Sequence, residues 1–422
     1  PQSGWAQSIE EVTVTARRRE ENVQEIPVSV TAFGEDFIAK QGVLNTQDVL
    51  KLVPGVTFDQ SFSSNDTRIS IRGINSSRGR TSVAVLVDGI DVTGESVTVG
   101  GGSSLLNSNL LDLERVEVVK GPQSALYGRS AFAGAINYIT KKPNMEEADI
   151  TVSGDYGTDN TYSVKGSASA PVIPGTLALG ITAASYQSDG YYTNKLNGQD
   201  LNGYDNSGLR LSGLWTPTDN LEIDAFVSYQ DNESDPRAVA KVDRANRYYD
   251  ADGNDITGSA DPNQPNAPDF GFNSPIAYGN WLGTIGSVSE SGVVFSNRES
   301  GSGGKFSGTD SEQWLAAVKV AWDLDSVTFR SKTSYLNDDT SINEDVDYQD
   351  GTGSCYEFGP FGTPCFSLAN EFLDDTETDQ FNQEFTLESN DWDRGRWLVG
   401  VQYYREEVDN EDNSLNSVSY TH

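Results

Sequence analysis

Carboxylates are the commonest reactive groups in this chain: 63 Asp and Glu stand against 29 Lys and Arg, two Cys and one His in 422 residues. A carboxylate pair can run the acid–base hydrolysis of a glycoside, but only at a fixed separation of about 5 to 10 Å. Here the acids are dispersed along polar stretches, which gives a hydrolase little support. The single histidine, His422, is the last residue, so a Ser-His-Asp triad or a His-based metal centre lacks its parts. Clustered oxygens also attract hard cations, and residues 250–255 (DADGND) form such a cluster. It lacks the terminal Glu of an EF-hand loop, and neither a metal nor a cofactor is assigned. Cys355 and Cys365 bracket CYEFGPFGTPC. They either close one loop disulfide, which suits an extracytoplasmic compartment, or remain two buried thiols. The formal charge of −34 argues against binding nucleic acid through a basic surface.

The elements that position these groups are strands more than helices. Only 36% of residues are hydrophobic, 10% are aromatic, and 41 Gly accompany 15 Pro, a balance that favours strands and turns. No stretch approaches the roughly 20 apolar residues of a spanning helix, and mean hydropathy is −0.49. Helical membrane proteins are excluded; membrane β-barrels are not, because their alternating strands give no hydropathy peak. Charge divides the chain. Residues 1–143 carry 14 basic and 16 acidic residues, which leaves 15 basic and 47 acidic for residues 144–422. Lys141-Lys142-Pro143 marks the boundary.

The first region reads as a small α/β module. Its opening, PQSGWAQS, holds no complete secretory signal, and Gly4-Trp5-Ala6 has the small-x-small form of a cleavage remnant. Residues 9–16 (IEEVTVTA) alternate and precede a charged run at 17–21. They are either an exposed strand awaiting another protein's sheet edge or an edge strand of the same domain. Strand-like segments lie at 26–31, 67–74, 83–87, 115–119 and 135–140. A helical pattern over 35–41 ends at Gly42, and another begins at Thr46 and stops before Pro54-Gly55. Residues 83–87 (VAVLV) are apolar throughout and read as the central strand. Glycine-rich 99–102 reads as a mobile loop.

From Asp149 the period is two. Trp314, Ala316, Val318, Val320 and Trp322 make an apolar face with aromatics at both ends, as in a lipid-facing strand. Residues 221–229 and 397–403 repeat the pattern. Nine strands are expected near 149–156, 160–170, 176–187, 206–216, 220–231, 312–323, 326–337, 376–389 and 396–410. Links after the even-numbered strands are brief, whereas those after the third, fifth and seventh run from 18 to 80 residues. Short turns on one side and long loops on the other is the outer-membrane arrangement. Nine is odd and too few, so the barrel is expected to continue beyond this chain, to about 22 strands if it resembles plugged transporters. The long links are acidic: residues 337–376 hold ten Asp and Glu with no Lys or Arg. That repels polyanions, or simply keeps an outer surface soluble.

Several segments together resemble the TonB-dependent outer-membrane receptors. IEEVTVTA is similar to a TonB box, and IPVSVTAFG (26–34), LVPGV (52–56), SIRGI (70–74), VLVDGI (85–90) and ERVEVVKGPQSALYGRSAFAGAINYITKKP (114–143) resemble the plug domain. Lys120 departs from the Arg common before Gly-Pro in that family, keeping the charge but losing the planar fork.

The resemblance implies a membrane all-β fold: an antiparallel transmembrane β-barrel, with a small α/β plug domain in its lumen. Residues 1–22 would be an N-terminal extension with the TonB box, 23–143 the plug and 144–422 the first part of the barrel. It implies active import across a Gram-negative cell outer membrane, with no enzymatic step, by a monomer embedded in outer-membrane lipid. Its partners would be the TonB C-terminal domain in the periplasm and a small-molecule ligand. Glu10, Glu11, Val12, Thr13, Val14, Thr15 and Ala16 are the expected coupling residues, and Arg17 to Arg19 a flexible tether. Phe58, Gln60, Phe62, Asn65, Thr93, Glu95 and Ser96 are expected contacts at the plug apex. Tyr248, Tyr249 and Trp281 either close over the ligand or pack within their own loop. A ferric siderophore or other iron complex is the default cargo, with cobalamin, glycans and aromatic compounds as alternatives. A passive porin-like or adhesive barrel is the competing function.

Overall fold

The computed structural model describes residues 13–14, 21–22, 28–41, 46–60, 67–74, 79–96, 112–193, 198–237, 306–345, 354–355, 365–390, 395, 397–412 and 415–421. Its first region contains β1 (Thr13–Val14), β2 (Glu21–Asn22), β3 (Ser29–Gly34), α1 (Glu35–Gln41), α2 (Thr46–Lys51), β4 (Val56–Gln60), β5 (Thr67–Ile71), β6 (Gly79–Arg80), β7 (Val83–Val87), β8 (Ile90–Asp91), β9 (Glu95–Ser96), β10 (Leu113–Lys120), α3 (Ser124–Tyr127) and β11 (Gly134–Thr140). One sheet runs in the order β3-β10-β11-β7-β8, with β11 and β7 its parallel pair. The apolar strand β7 is buried as expected, but β11 is the central strand, because β8 extends the sheet beyond β7 by only two residues. The first sheet strand starts at Ser29 rather than Ile26. Pro27 has no N–H to donate to a ladder, so regular pairing begins beyond it.

Asp88-Gly89 forms the two-residue turn between β7 and β8, with φ of 52° and 74°. A hairpin turn of this kind requires positive φ at both positions, which Asp-Gly supplies at low cost. The turn is drawn tight by the Asp88 N–H, which donates to the Tyr138 carbonyl at 2.8 Å, and by the Gly89 N–H, which donates to Asn137 Oδ1 at 3.0 Å.

The second region is a wall of antiparallel strands. It comprises β12 (Asp149–Tyr156), β13 (Tyr162–Ile173), β14 (Leu177–Ser188), the small hairpin β15 (Tyr192–Thr193) and β16 (Asp200–Leu201), β17 (Tyr204–Thr218), β18 (Leu221–Ser234), β19 (Gly308–Asp323), β20 (Val327–Asp345), β21 (Ser354–Cys355), β22 (Cys365–Ser389), β23 (Leu398–Asp412) and β24 (Leu415–Thr421). Long strands pair in chain order from β12 to β23, with β21 and β24 added to the far end of β22. All nine expected strands are present, and their short-turn ends fall close to the expected positions. The opposite ends overshoot: β20 continues to Asp345 and β22 starts at Cys365, so much of the acidic stretch read as loop is strand. Above the lipid both faces of a strand meet polar surroundings. The apolar/polar alternation fades there although the ladder continues.

The lipid face is the one anticipated. Trp314 is 49% exposed and shares its side with exposed Val318 and Trp322, while Leu315 and Ala317 are buried. Val399, Val401 and Tyr403 are likewise exposed on β23. The inner face carries the first region: Val49, Leu50 and Val53 of the α2 segment and Val56, Ile69 and Ile71 of the β4–β5 hairpin share one core with Phe226, Leu315, Ala317 and Leu336 of the wall. Removal of this apolar area from water holds the module to the wall.

Candidate functional site

Two places are candidates for function. The first is the N-terminal segment. Within residues 9–16, Thr13 and Val14 pair antiparallel with Asn22 and Glu21. The reading of an unpaired, exposed strand is corrected here: Val14 is fully buried, in a cluster with Ala84, Leu86, Val119, Tyr127, Ala131 and Ala135. The Val14 side chain finds a ready slot in the plug core. Glu10, Glu11, Val12, Thr15, Ala16 and Arg17 to Arg19 lie outside the described residues.

The second place is the junction between plug and wall. Asp88, at the β7–β8 turn, accepts a bond from the Arg210 guanidinium of β17 at 2.8 Å, with side-chain exposures of only 5% and 8%. Lys319 of β19 lies 3.9 Å from the same carboxylate oxygen and 2.7 Å from Asp224. The Thr140 N–H and hydroxyl complete the shell, each donating to Asp88 at 2.8 Å. Burial alone would raise the Asp88 pKa, but Lys319, Arg210 and the Thr140 bonds outweigh it and hold the group below its ordinary value. Lys332 of β20 donates to the Gly89 carbonyl at 3.2 Å, and the Arg210 guanidinium stacks 3.6 Å above the Phe226 ring. A cavity of about 320 Å³ opens beside this cluster, between the plug and strands β18, β19, β20, β22 and β23.

A second charged contact lies across the plug. Arg129 donates to Glu406 of β23 at 2.9 Å and sits 3.5 Å above the Tyr404 ring. Asp91 is close by. Burial raises its pKa, only partly countered by bonds from Thr93 and the charge of Arg129. Asp112 adds a third tie, 3.4 Å from Lys165 of β13.

Above the plug core the inner wall carries amide, hydroxyl and carboxylate groups that hydrogen-bond to one another. Across the ladder Asn232, Ser311, Thr340, Thr376 and Asn410 stand at one height. Gln230, Gln313, Asp338 and Thr378 stand one step below. Asp338 accepts from Ser311 and Gln313 at 3.3 Å and from Thr340 at 2.8 Å. Sequence reasoning missed these residues, although the inward positions of each strand carried the signal.

The expected apex contacts divide. Phe58 is half-buried and packs on the plug–wall core. The backbone of Gln60 ends β4, opposite Thr67, and Glu95 and Ser96 pair with Arg80 and Gly79. Thr93 is 1% exposed. Its hydroxyl bonds Val85, accepting from the N–H at 2.8 Å and donating to the carbonyl at 3.2 Å, so it is a brace within the plug. Phe62, Asn65, Tyr248, Tyr249, Trp281 and the 250–255 cluster lie outside the described residues. Cys355 stands directly opposite Cys365 in the β21–β22 ladder.

A strand wall with a lipid-facing outer surface and its own N-terminal domain seated on its inner surface defines a plugged outer-membrane β-barrel. Residues 22–135 match the family profile described as "TonB-dependent Receptor Plug Domain". The chain is 36% identical over 149 residues to the "Vitamin B12 transporter BtuB" of Vibrio vulnificus, covering 35% of this chain and 23% of that protein. It is 31% identical over 174 residues to the "Hemin receptor" of Yersinia enterocolitica, covering 40% and 23%. Among solved structures, the ferric yersiniabactin uptake receptor FyuA from Yersinia pestis aligns with TM-score 0.57 at 17% identity, over 93% of this chain and 60% of that one. The siderophore receptor PiuA from Acinetobacter baumannii aligns with TM-score 0.63 at 18% identity, over 95% and 49%. Residues 22–135 thus carry the plug domain of TonB-dependent receptors, and the chain as a whole shares the fold of the outer-membrane receptors it aligns with. The matched stretch spans about a quarter of the length of those curated relatives, 23% in each case.

Proposed function

We propose that the protein actively imports a scarce small molecule across the outer membrane, with TonB drawing on residues 9–16 to displace the plug. The observation that supports this most directly is the plug's double attachment, by an apolar core and by charge pairs, to the inner wall of a transmembrane sheet. A bore filled in this way does not pass a solute by diffusion, and moving the plug takes work supplied from outside. In this reading residues 1–22 are the coupling extension, 23–143 the plug and 144–422 the first part of the barrel. Glu10 to Ala16 add as a strand to TonB, which loads several backbone hydrogen bonds together and asks little of individual side chains.

The ligand binds above the plug. Gln60, Phe62, Asn65, Glu95, Ser96, Tyr248, Tyr249 and Trp281 would meet it there, together with the polar inner wall at Gln313, Asp338 and Thr340. An iron complex is the cargo favoured, a reading supported by the hemin receptor among the relatives and the siderophore receptors among the structural neighbours. Cobalamin is the second reading, favoured by the identity to a vitamin B12 transporter. The test compares full-length protein with a variant lacking residues 9–16, in cells offered hemin, a panel of ferric siderophores, or cyanocobalamin. The deletion should abolish uptake of the cargo and leave its binding to cells intact. Uptake at the normal rate, or uptake insensitive to collapse of the proton-motive force, would overturn the reading in favour of a passive channel.

A further inference from the structure

Three cations from three wall strands converge on one plug turn. Arg210 and Lys319 face the Asp88 carboxylate at 2.8 and 3.9 Å, and Lys332 reaches the neighbouring Gly89 carbonyl at 3.2 Å. Two of them, Lys319 and Lys332, are direct cross-strand partners in the β19–β20 ladder. Like charges placed opposite each other destabilise a sheet pair, and this pair stands against the part of the protein designed to come out. The wall answers with two acids: Asp224 bonds Lys319 at 2.7 Å, and Glu384 stands opposite Lys332. Three cations against two carboxylates leave the wall one positive charge in excess. Asp88, supplied by the plug, balances it. The adjoining cavity, also lined by Arg115, Lys142 and Arg330, which pair with Glu114, Glu222 and Glu388, leaves room for more than a side chain.

We propose that Arg210, Lys319 and Lys332 form an anion-binding station on the inner wall, which Asp88 occupies at rest and an oxyanion group of the cargo occupies once the Asp88-Gly89 turn withdraws. Asp88 is thus a built-in surrogate for the ligand's charge. When the plug moves, desolvated cations on the wall regain their balance from a passing carboxylate or phosphate, which draws such a cargo past the plug in preference to a neutral one. The station itself is a property of the folded chain; its use by cargo rests on the import reading above.

Crystals of the full-length protein soaked in sodium bromide test the station directly, because bromide is located by its anomalous scattering. Asp88→Asn keeps a side chain that tolerates positive φ and still accepts from the Thr140 N–H, but removes the balancing charge. Bromide should then appear between Arg210 and Lys319 where the carboxylate stood, with no peak there in the wild type. Should Asp88→Asn fail to fold, Glu384→Gln serves instead: the plug and Asp88 stay in place, one cation of the wall loses its counter-charge, and bromide should appear beside Lys332. If neither variant gathers bromide, the station does not exist. If bromide persists when Lys319→Gln and Lys332→Gln are added to Asp88→Asn, it is an adventitious ion only and the proposal falls. These outcomes do not depend on transport, so a failure of the import reading stays distinguishable from a failure of the station.

Discussion

Replacing Arg210 with Met tests whether the plug is held to the wall by charge. Met keeps the apolar stem but removes the guanidinium, which both stacks on Phe226 and is the closest cation to the nearly buried Asp88. Breaking a buried ion pair by removing one partner costs about 3 to 5 kcal/mol. Asp88 keeps Lys319 at 3.9 Å and both Thr140 bonds, which lowers the expected cost to about 2 to 3 kcal/mol. At about 1.4 kcal/mol per tenfold, the turn should open roughly 30 to 140 times more often. Hydrogen–deuterium exchange of the full-length protein reads this at the Asp88, Gly89 and Thr140 amides, all bonded within or against the turn. Amides of β3, at the opposite edge of the sheet, should be unaffected. The pH dependence has a defined sign. Because the folded Asp88 pKa lies below its ordinary value, its contribution is complete above the unfolded pKa of about 3.9 and fades as pH falls through the folded one. Protection at the turn, corrected for intrinsic exchange, should therefore be flat from pH 8 to about 5 in the wild type. Unchanged exchange in Arg210→Met, or an equal rise throughout the plug, would refute the claim that this pair anchors the turn.

Three other outcomes are expected. Asp91, whose folded pKa is raised by burial, costs the plug stability once ionised, a cost that grows as pH rises above the unfolded value; Asp91→Asn should match or exceed wild-type protection at pH 7.5 and lose that advantage near pH 4. Val318 lies between Trp314 and Trp322 on the exposed face of β19, so Val318→Arg should lower the refolding stability in lipid vesicles by about 2 to 4 kcal/mol, and an unaltered value would contradict the lipid-facing assignment. Residues directly opposite in an antiparallel ladder have Cα atoms about 4.5 to 5.5 Å apart, within disulfide range, so Cys355 and Cys365 should resist alkylation until reduced. Prompt labelling of both in unreduced protein would exclude the bond.

The parts of the fold that were legible in the sequence are those where surroundings differ sharply between the two faces of an element. Trp314 to Trp322 alternate because one side meets lipid and the other the plug. The short-turn ends were legible for the same reason, helped by turn formers such as Gly175 and Asp325 at positive φ. Where both faces are wet, as in the upper part of β20, the contrast vanishes and strand reads as loop. The partnership of Asp88 with Arg210 was illegible, since the two are 122 positions apart and each looks like an ordinary polar residue in its own segment. Val14 shows the limit in the other direction. Its segment carried the right pattern, but the pattern fitted a waiting strand and a tucked one equally well, and only the slot beside Leu86 and Tyr127 distinguishes them.

The overshooting strands set the protein's evolutionary freedom. β22 has 25 residues, about 80 Å at roughly 3.3 Å per residue, far more than the roughly 10 residues that suffice to cross a bilayer. The surplus forms a stiff collar standing clear of the membrane. A substitution there incurs no penalty for insertion into hydrocarbon on either side of the sheet, so such a rim can exchange its chemistry residue by residue while the membrane-embedded wall below stays unchanged.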